Sequence, residues 1–190
     1  MADPLAQIQE WLEDARRAVS EPHAMTLATA TTDGVPSARV VLLRGIDKRG
    51  LTFFTNRASR KSEELSANPR AALAIHWWEL GRQIRVEGRV EDLSHEESAA
   101  YWETRPRGSQ IAAWASRQSL PLFDRAELDA RVAETNARFG HGSVPLPPFW
   151  GGYRVVPDAI ELWEHRDDRL HDRLRYVRED GGWRLERLAP

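Results

Sequence analysis

The sequence predicts an α+β fold, mainly antiparallel, with helices at the periphery of the sheet. Three observations carry that expectation. Short runs rich in β-branched residues fall both early and late in the chain, helical periodicity occupies the start and the middle, and strands never alternate with helices as parallel βαβ units require. The order is helix, sheet, helices, sheet, so early and late strands share one sheet or barrel.

Residues 1–20 read as an N-terminal helix: Leu5, Ile8, Trp11, Leu12 and Ala15 recur at helical spacing, behind Asp3 as N-cap and Pro4 at the first helical position. From Met25 to Asn56, three β-rich runs separated by the turn signals TDGVP and DKRG read as an antiparallel meander. SRKSEELSAN (59–68) reads as a short helix stopped before Pro69, and RAALAIHWWEL (70–80) and GRQIRVEGRVEDLS (81–94) as two strands. HEESAAYWETR (95–105), SQIAAWASR (109–117) and DRAELDARVAETNARFG (124–140) read as helices, the last with Leu128, Val132 and Phe139 as a buried stripe. Residues 140–152 form a Pro/Gly-rich loop. YRVVPDAIELWEHR (153–166), RLHDRLRYVRED (169–180) and WRLERLAP (183–190) close the sheet, with DGG as a hairpin turn, and residues 1–190 read as a single domain.

At 190 residues the chain is long enough to bury roughly 70% of its unfolded surface. It contains no cysteine, which removes disulfides, thiolate metal sites and a cysteine nucleophile and points to a cytoplasmic location. No apolar run approaches the ~20 residues that span a bilayer. Net charge is −2, so no global field recruits nucleic acid, and any anion site must arise from local clustering of arginine. The histidines show no metal-ligand spacing, and neither a phosphate-binding glycine loop nor a G-x-S-x-G elbow is present. Difficult chemistry then falls to an organic cofactor.

Basic residues do cluster. SRK (59–61) opens a helix, where free N–H groups and the dipole favour an anion beside Arg60 and Lys61. TRPRGSQ (104–110) gathers Arg105, Arg107 and Ser109 around a turn, and Arg39 and Arg44 bracket the apolar strand RVVLLR, whose backbone would be free at a sheet edge. If RLHDR (169–173) is a strand, Arg169, His171 and Arg173 share one face while Leu170 and Asp172 share the other. Separate basic clusters in an acidic chain suggest more than one phosphate.

The stretches RVVLLR, FFTNRASRK, NPRAALAIHWWELGRQIRVEG, YWETRPRGSQIAAWASRQS, VPLPPFWGGYRV, RLHDRLRY and ERLAP, in this order, closely resemble the pyridoxamine/pyridoxine 5′-phosphate oxidase family. The resemblance implies an FMN-binding split β-barrel homodimer with residues from both chains in each site. It implies flavin contacts from Arg39, Val40, Val41, Leu42, Leu43, Arg44, Phe54, Thr55, Arg60, Lys61, Gln83, Gln118, Ser119, Trp163 and Arg173. Substrate contacts would come from Arg44, Tyr101, Arg105, Ser109, Arg169, Leu170 and His171, with Arg169 and His171 at the reacting ring. The implied reaction oxidises pyridoxamine or pyridoxine 5′-phosphate to pyridoxal 5′-phosphate, with hydride passing from C4′ to flavin N5 and O2 reduced to hydrogen peroxide. Two alternatives are a related FMN oxidase of the phenazine type and a non-catalytic flavin- or pyridoxal-phosphate-binding protein.

Four departures from the family pattern stand out. Arg44 replaces a common lysine, Phe54 replaces a common tyrosine, and EHRDD (164–168) replaces a glycine-containing segment. The basic, tyrosine-containing arm that precedes the first helix in some members has no counterpart here, so weaker closure over substrate is expected.

Overall fold

The computed structural model describes residues 3–190. Helix α1 (Pro4–Ala18) is followed by strands β1 (Ala24–Ala30), β2 (Pro36–Leu42), β3 (Gly45–Asp47) and β4 (Gly50–Asn56), then helix α2 (Arg60–Ala67) and strands β5 (Arg70–Trp77) and β6 (Arg82–Asp92). Helices α3 (His95–Thr104), α4 (Arg107–Ala115) and α5 (Arg125–Phe139) precede strands β7 (Trp150–Glu164), β8 (Asp172–Glu179) and β9 (Gly182–Arg187).

All pairings are antiparallel, in the order β2-β1-β5-β6-β7-β4-β3, with β8 and β9 branching from β7. The long strand β7 makes the branch. One of its edges pairs with β6, while the other pairs with β4 through residues 150–155 and with β8 through residues 159–164. Between these halves Pro157, which cannot donate to a ladder, sits opposite Gly88 at a β-bulge. A Cβ on Gly88 would lie 2.1 Å from the Val156 carbonyl oxygen, so the bulge requires glycine. The result is a curled sheet of the split β-barrel type.

Inside the curl, Leu27, Leu51, Phe53, Leu73, Ile75, Ile84, Val86, Val155 and Ile160 form the main core. Helix α1 adds Leu5, Ile8, Trp11, Leu12 and Ala15 from one face; Asp3 caps it by accepting from Leu5 N–H, and Pro4 starts it. A second cluster of Trp102, Ile111, Val144 and Trp150 joins α3 and α4 to the sheet. Helix α3 begins with a full capping box between Ser94 and Glu97.

The structure departs from the sequence expectations in four places. RVVLLRGID is two strands: Leu43 N–H donates to His23 O and Arg44 N–H to Thr52 O, so the chain leaves β1 for β4 at a corner. The loop expected to reach residue 152 ends at 149, because Trp150, Gly151 and Gly152 pair with β4. Helix α5 buries no residue fully; Val132 and Phe139 pack on the second cluster, whereas Leu128 is half-buried outside it. Finally, RLHDR is a strand only from Asp172. Asp168 and Arg169 adopt φ of 55° and 61° in the turn joining β7 to β8, so Arg169 and His171 lie outside the strand and its alternation does not govern them.

Phe53 is fully buried at the centre of the main core. Phe53→Ala should lower unfolding free energy by about 3–5 kcal/mol, measured by urea denaturation at fixed protein concentration.

Candidate active site

The free edge of β2 curls towards β4, and between them lies a cleft of 560 Å³, within the size range of small-molecule sites. Arg39, Val40, Val41 and Leu42 line it from β2, Arg44 from the corner, Phe54 and Thr55 from β4, Arg60 and Lys61 from the start of α2, Tyr101 and Arg105 from α3 and its end, and Gln118 and Ser119 from the segment after α4. Ser37, Arg39 and Val41 are half-buried while Ala38, Val40 and Leu42 are exposed, as strand alternation requires. Leu43 is different. Its side chain is buried in the main core. Ser109 lines an adjoining cavity together with Phe54, Thr55, Arg105 and Gln118.

Each cation in the cleft has its own support. Lys61 is buried, and its Nζ donates to Thr55 Oγ1 (3.2 Å), Ser59 Oγ (3.0 Å) and Gln118 Oε1 (2.8 Å). Burial, assisted by the neighbouring Arg39 charge, pushes Lys61 down to about 8. Ser59 precedes α2 without a side-chain cap, and Arg60 N–H donates to Ser119 Oγ at 3.2 Å. Ser119 itself has φ of 72°, a sparsely populated conformation for a non-glycine residue of the kind that gathers at functional sites.

Arg44 and Arg105 rest on aromatic rings. Phe54 stacks on Tyr101 (4.1 Å between centroids, 15°) and on Trp150 (5.5 Å, 8°), with Arg44 5.8 Å from the Tyr101 centroid and Arg105 4.8 Å from that of Trp150. Tyr101 and Trp150 also stack on each other at 6.1 Å, so Phe54 is one apolar face of a three-ring cluster, a role for which the missing hydroxyl is no loss. Arg105 is half-buried; its Nη2 donates to Ser109 O at 2.9 Å, and its buried Nε has no partner among the described residues. Desolvation lowers its pKa, so the buried charge and the orphaned N–H both favour an anion. Arg107 turns away and donates to the Gly140 and Gly142 carbonyls at 2.5 Å each.

The remaining candidates do not line this cleft. Gln83, Trp163 and Arg173 stand in one register row across β6, β7 and β8, which puts their side chains on one face. His171 packs on Trp163 (4.5 Å between centroids) and accepts from Arg166 N–H through Nδ1 at 3.2 Å. Arg169 and Leu170 are exposed in the adjoining turn. Buried Glu161 holds Arg173, accepting from its Nε at 2.7 Å, while Arg173 Nη1 donates to Ala189 O.

Several supporting residues were not singled out in the sequence. Glu64 is buried behind the cleft, where it binds Arg60 and Arg39. The i,i+4 spacing of Arg60 and Glu64 was a visible signal. Thr29 and Ser37 join Glu64 only because the β1–β2 register sets them opposite each other, and Glu161 meets Arg173 only through β7–β8 pairing.

Lys61 yields a pH prediction. In the unfolded chain it titrates near 10.5 and in the fold near 8, so its charge opposes folding below about pH 8 and that penalty fades between pH 8 and 10.5. A bound anion favours the ammonium form, so phosphate affinity should fall as pH rises through about 8. Titration calorimetry with inorganic phosphate should show this loss, and Lys61→Met should lack the step.

Comparison with known proteins places the chain. The family model described as pyridoxamine 5′-phosphate oxidase matches residues 12–139, and that described as the pyridoxine 5′-phosphate oxidase C-terminal dimerisation region matches residues 150–190. A pyridoxine/pyridoxamine 5′-phosphate oxidase of Rubrobacter xylanophilus is 59% identical over 99% of this chain and 87% of its own, and one of Bordetella petrii is 56% identical over 100% and 90%. Among solved structures, PhzG from Burkholderia lata, in complex with tetrahydrophenazine-1-carboxylic acid, superposes with a TM-score of 0.94 at 38% identity, covering 100% of this chain and 94% of that one. A pyridoxamine 5′-phosphate oxidase-related, FMN-binding protein from Nostoc punctiforme shares the fold, with a TM-score of 0.78 at 18% identity over the full length of both chains. The residues of the cleft and the extent of these matches lead to one conclusion: the chain belongs to the pyridoxamine 5′-phosphate oxidase family, a family of oxidoreductases.

Proposed function

We propose that the protein oxidises pyridoxamine 5′-phosphate and/or pyridoxine 5′-phosphate to pyridoxal 5′-phosphate with FMN and O2, in sites shared between two copies of the chain. One observation carries the shared-site reading. The candidate residues divide into a cleft group and a group on β6, β7, β8 and the β7–β8 turn that does not line the cleft, and most of the second group lies within the segment matching a dimerisation region. A second copy supplying Gln83, Trp163, Arg169, His171 and Arg173 would complete each cleft.

The residues suit two phosphates. Arg60 and Lys61, at an α2 N-terminus that the Ser59 side chain does not cap, would hold the FMN phosphate with Gln118 and Ser119 beside it. Arg105, with its orphaned Nε, would hold the substrate phosphate with Arg44, Tyr101 and Ser109. FMN, when bound, supplies the acceptor for a hydride from substrate C4′ and returns the electrons to O2 as hydrogen peroxide. His171 accepts through Nδ1, so its neutral ring carries the proton on Nε2 and orients the substrate's 4′ amine or hydroxyl as a donor. To take up a proton at Nδ1 it must release the Arg166 N–H. Arg169 brings a fixed positive charge to the pyridine ring, and Trp163 supports the His171 ring from below.

Ring oxidation of the phenazine type is the competing reading, since the PhzG backbone is so similar. The higher identity to pyridoxine/pyridoxamine phosphate oxidases and a second basic pocket suited to phosphate support the proposal over it. The absence of cysteine supports a cytoplasmic location, and no helix of the described residues is long and apolar enough to cross a membrane.

Purified protein with FMN should convert pyridoxamine or pyridoxine 5′-phosphate to the aldehyde in air with release of peroxide. Stable yellow protein without product, or turnover of a reduced phenazine alone, contradicts the proposal. Arg169→Ala and His171→Ala should each lower kcat/KM by about 10²-fold while retaining FMN. In mixtures of Arg105→Leu and Arg169→Ala chains, each inactive alone, statistical reassortment should restore about a quarter of wild-type activity. No recovery would mean that each chain builds its own site.

A further inference from the structure

We infer that Glu64 is a positioning residue that aims Arg60 at the cofactor phosphate, acting from beneath the cleft together with Thr29 and Ser37. The inference rests on the proposed placement of the FMN phosphate at the start of α2. The Glu64 side chain is only 4% exposed, yet neither of its oxygens is idle. Oε1 accepts from Arg60 Nε at 2.8 Å. Oε2 accepts from the hydroxyls of Thr29 and Ser37 and from Arg39 Nη2 at 3.3 Å. These donors hold the carboxyl down to about 2 against the opposing effect of its burial.

The two arginines are used differently. Arg39 donates through Nη1 to Leu27 O and Thr29 Oγ1 and through Nη2 to Ser37 Oγ and Glu64 Oε2, which leaves only Nε–H for a ligand. It is a second counter-charge to the buried carboxylate, beside Arg60. Among the described residues the Arg60 side chain is engaged through Nε alone, and it is 59% exposed, so its two Nη groups project as a fork. A phosphate is recognised best by such a fork held in one orientation. The hydroxyls of Thr29 and Ser37 accept from Arg39 while donating to Glu64, and so fix the carboxylate plane.

Charge and position predict opposite outcomes for Glu64→Gln. On charge alone, deleting a carboxylate near a phosphate site strengthens phosphate binding. Loss of aim weakens it. The test measures FMN and riboflavin affinities of the apo-protein by flavin fluorescence quenching, riboflavin being the same ring system without phosphate. Glu64→Gln should weaken FMN binding by about tenfold or more and leave riboflavin affinity unchanged. In an Arg60→Ala background the same substitution should have no further effect on FMN. Arg60→Lys, on an exposed side chain that does not threaten folding, keeps the charge but cannot grip Glu64 and present a fork together, so it should also lose FMN affinity selectively. FMN affinity that is unchanged or raised in Glu64→Gln, an equal loss for riboflavin, or full FMN binding by Arg60→Lys each overturns the inference. Failure of the wild-type protein to prefer FMN over riboflavin would instead overturn the underlying placement of the phosphate.

Discussion

Five basic side chains, Arg39, Arg44, Arg60, Lys61 and Arg105, converge on one cleft in a chain whose net charge is −2, and the structure around them is organised by that concentration of positive charge. Like charges packed this closely destabilise a fold unless each finds a partner. Arg39 and Arg60 share the buried Glu64, Lys61 is surrounded by the oxygens of Thr55, Ser59 and Gln118, and Arg44 and Arg105 lie against aromatic faces. The partners are incomplete where a ligand would bind. Among the described residues Arg105 keeps an unpaired Nε, Lys61 is driven towards neutrality, and Ser59 gives α2 no side-chain cap, leaving Ser119 to accept from its first N–H. A bound anion would relieve each.

The sheet topology determines which residues can meet. Because β7 pairs with β4 in its first half and with β8 in its second, the cleft group and the β6–β8 group are held on different parts of one rigid frame. A corner at Leu43 and Arg44 transfers the chain from β1 to β4, leaving β2 as an edge with Val40 66% and Leu42 37% exposed. Exposed apolar side chains on an unpaired edge beside a cleft suit contact with a flat ring and a second subunit better than contact with water.

Much of this was legible in the sequence, because it depends on local patterns. The cap and stripe of α1, the meander turns and the helix opening at SRK all follow from residue spacing, and the condition set for RVVLLR, a place at a sheet edge, is met by its residues up to Leu42. Arg39, Arg44, Arg60, Lys61 and Arg105, noticed as basic clusters, do come together. What escaped depends on register or on chain reversal. RLHDR alternates convincingly, yet the short connection between β7 and β8 forces Asp168 and Arg169 into left-handed conformations that no alternation pattern reveals. Glu161 meets Arg173 only through β7–β8 pairing, and although the spacing of Arg60 and Glu64 was visible, the burial of Glu64 against Thr29 and Ser37 depends on the β1–β2 register. Arg107, by contrast, shares a cluster with Arg105 in sequence but is diverted to the carbonyls that end α5.

In the proposed dimer a cleft built by one chain is completed by another. A crystal structure of the FMN-loaded protein tests it most directly. The expected result is a symmetric dimer in which the cofactor phosphate lies at Arg60 and Lys61 of one protomer and the cofactor also touches Trp163 and Arg173 of the partner subunit. A cofactor enclosed by a single chain, or a phosphate held away from the start of α2, would contradict it.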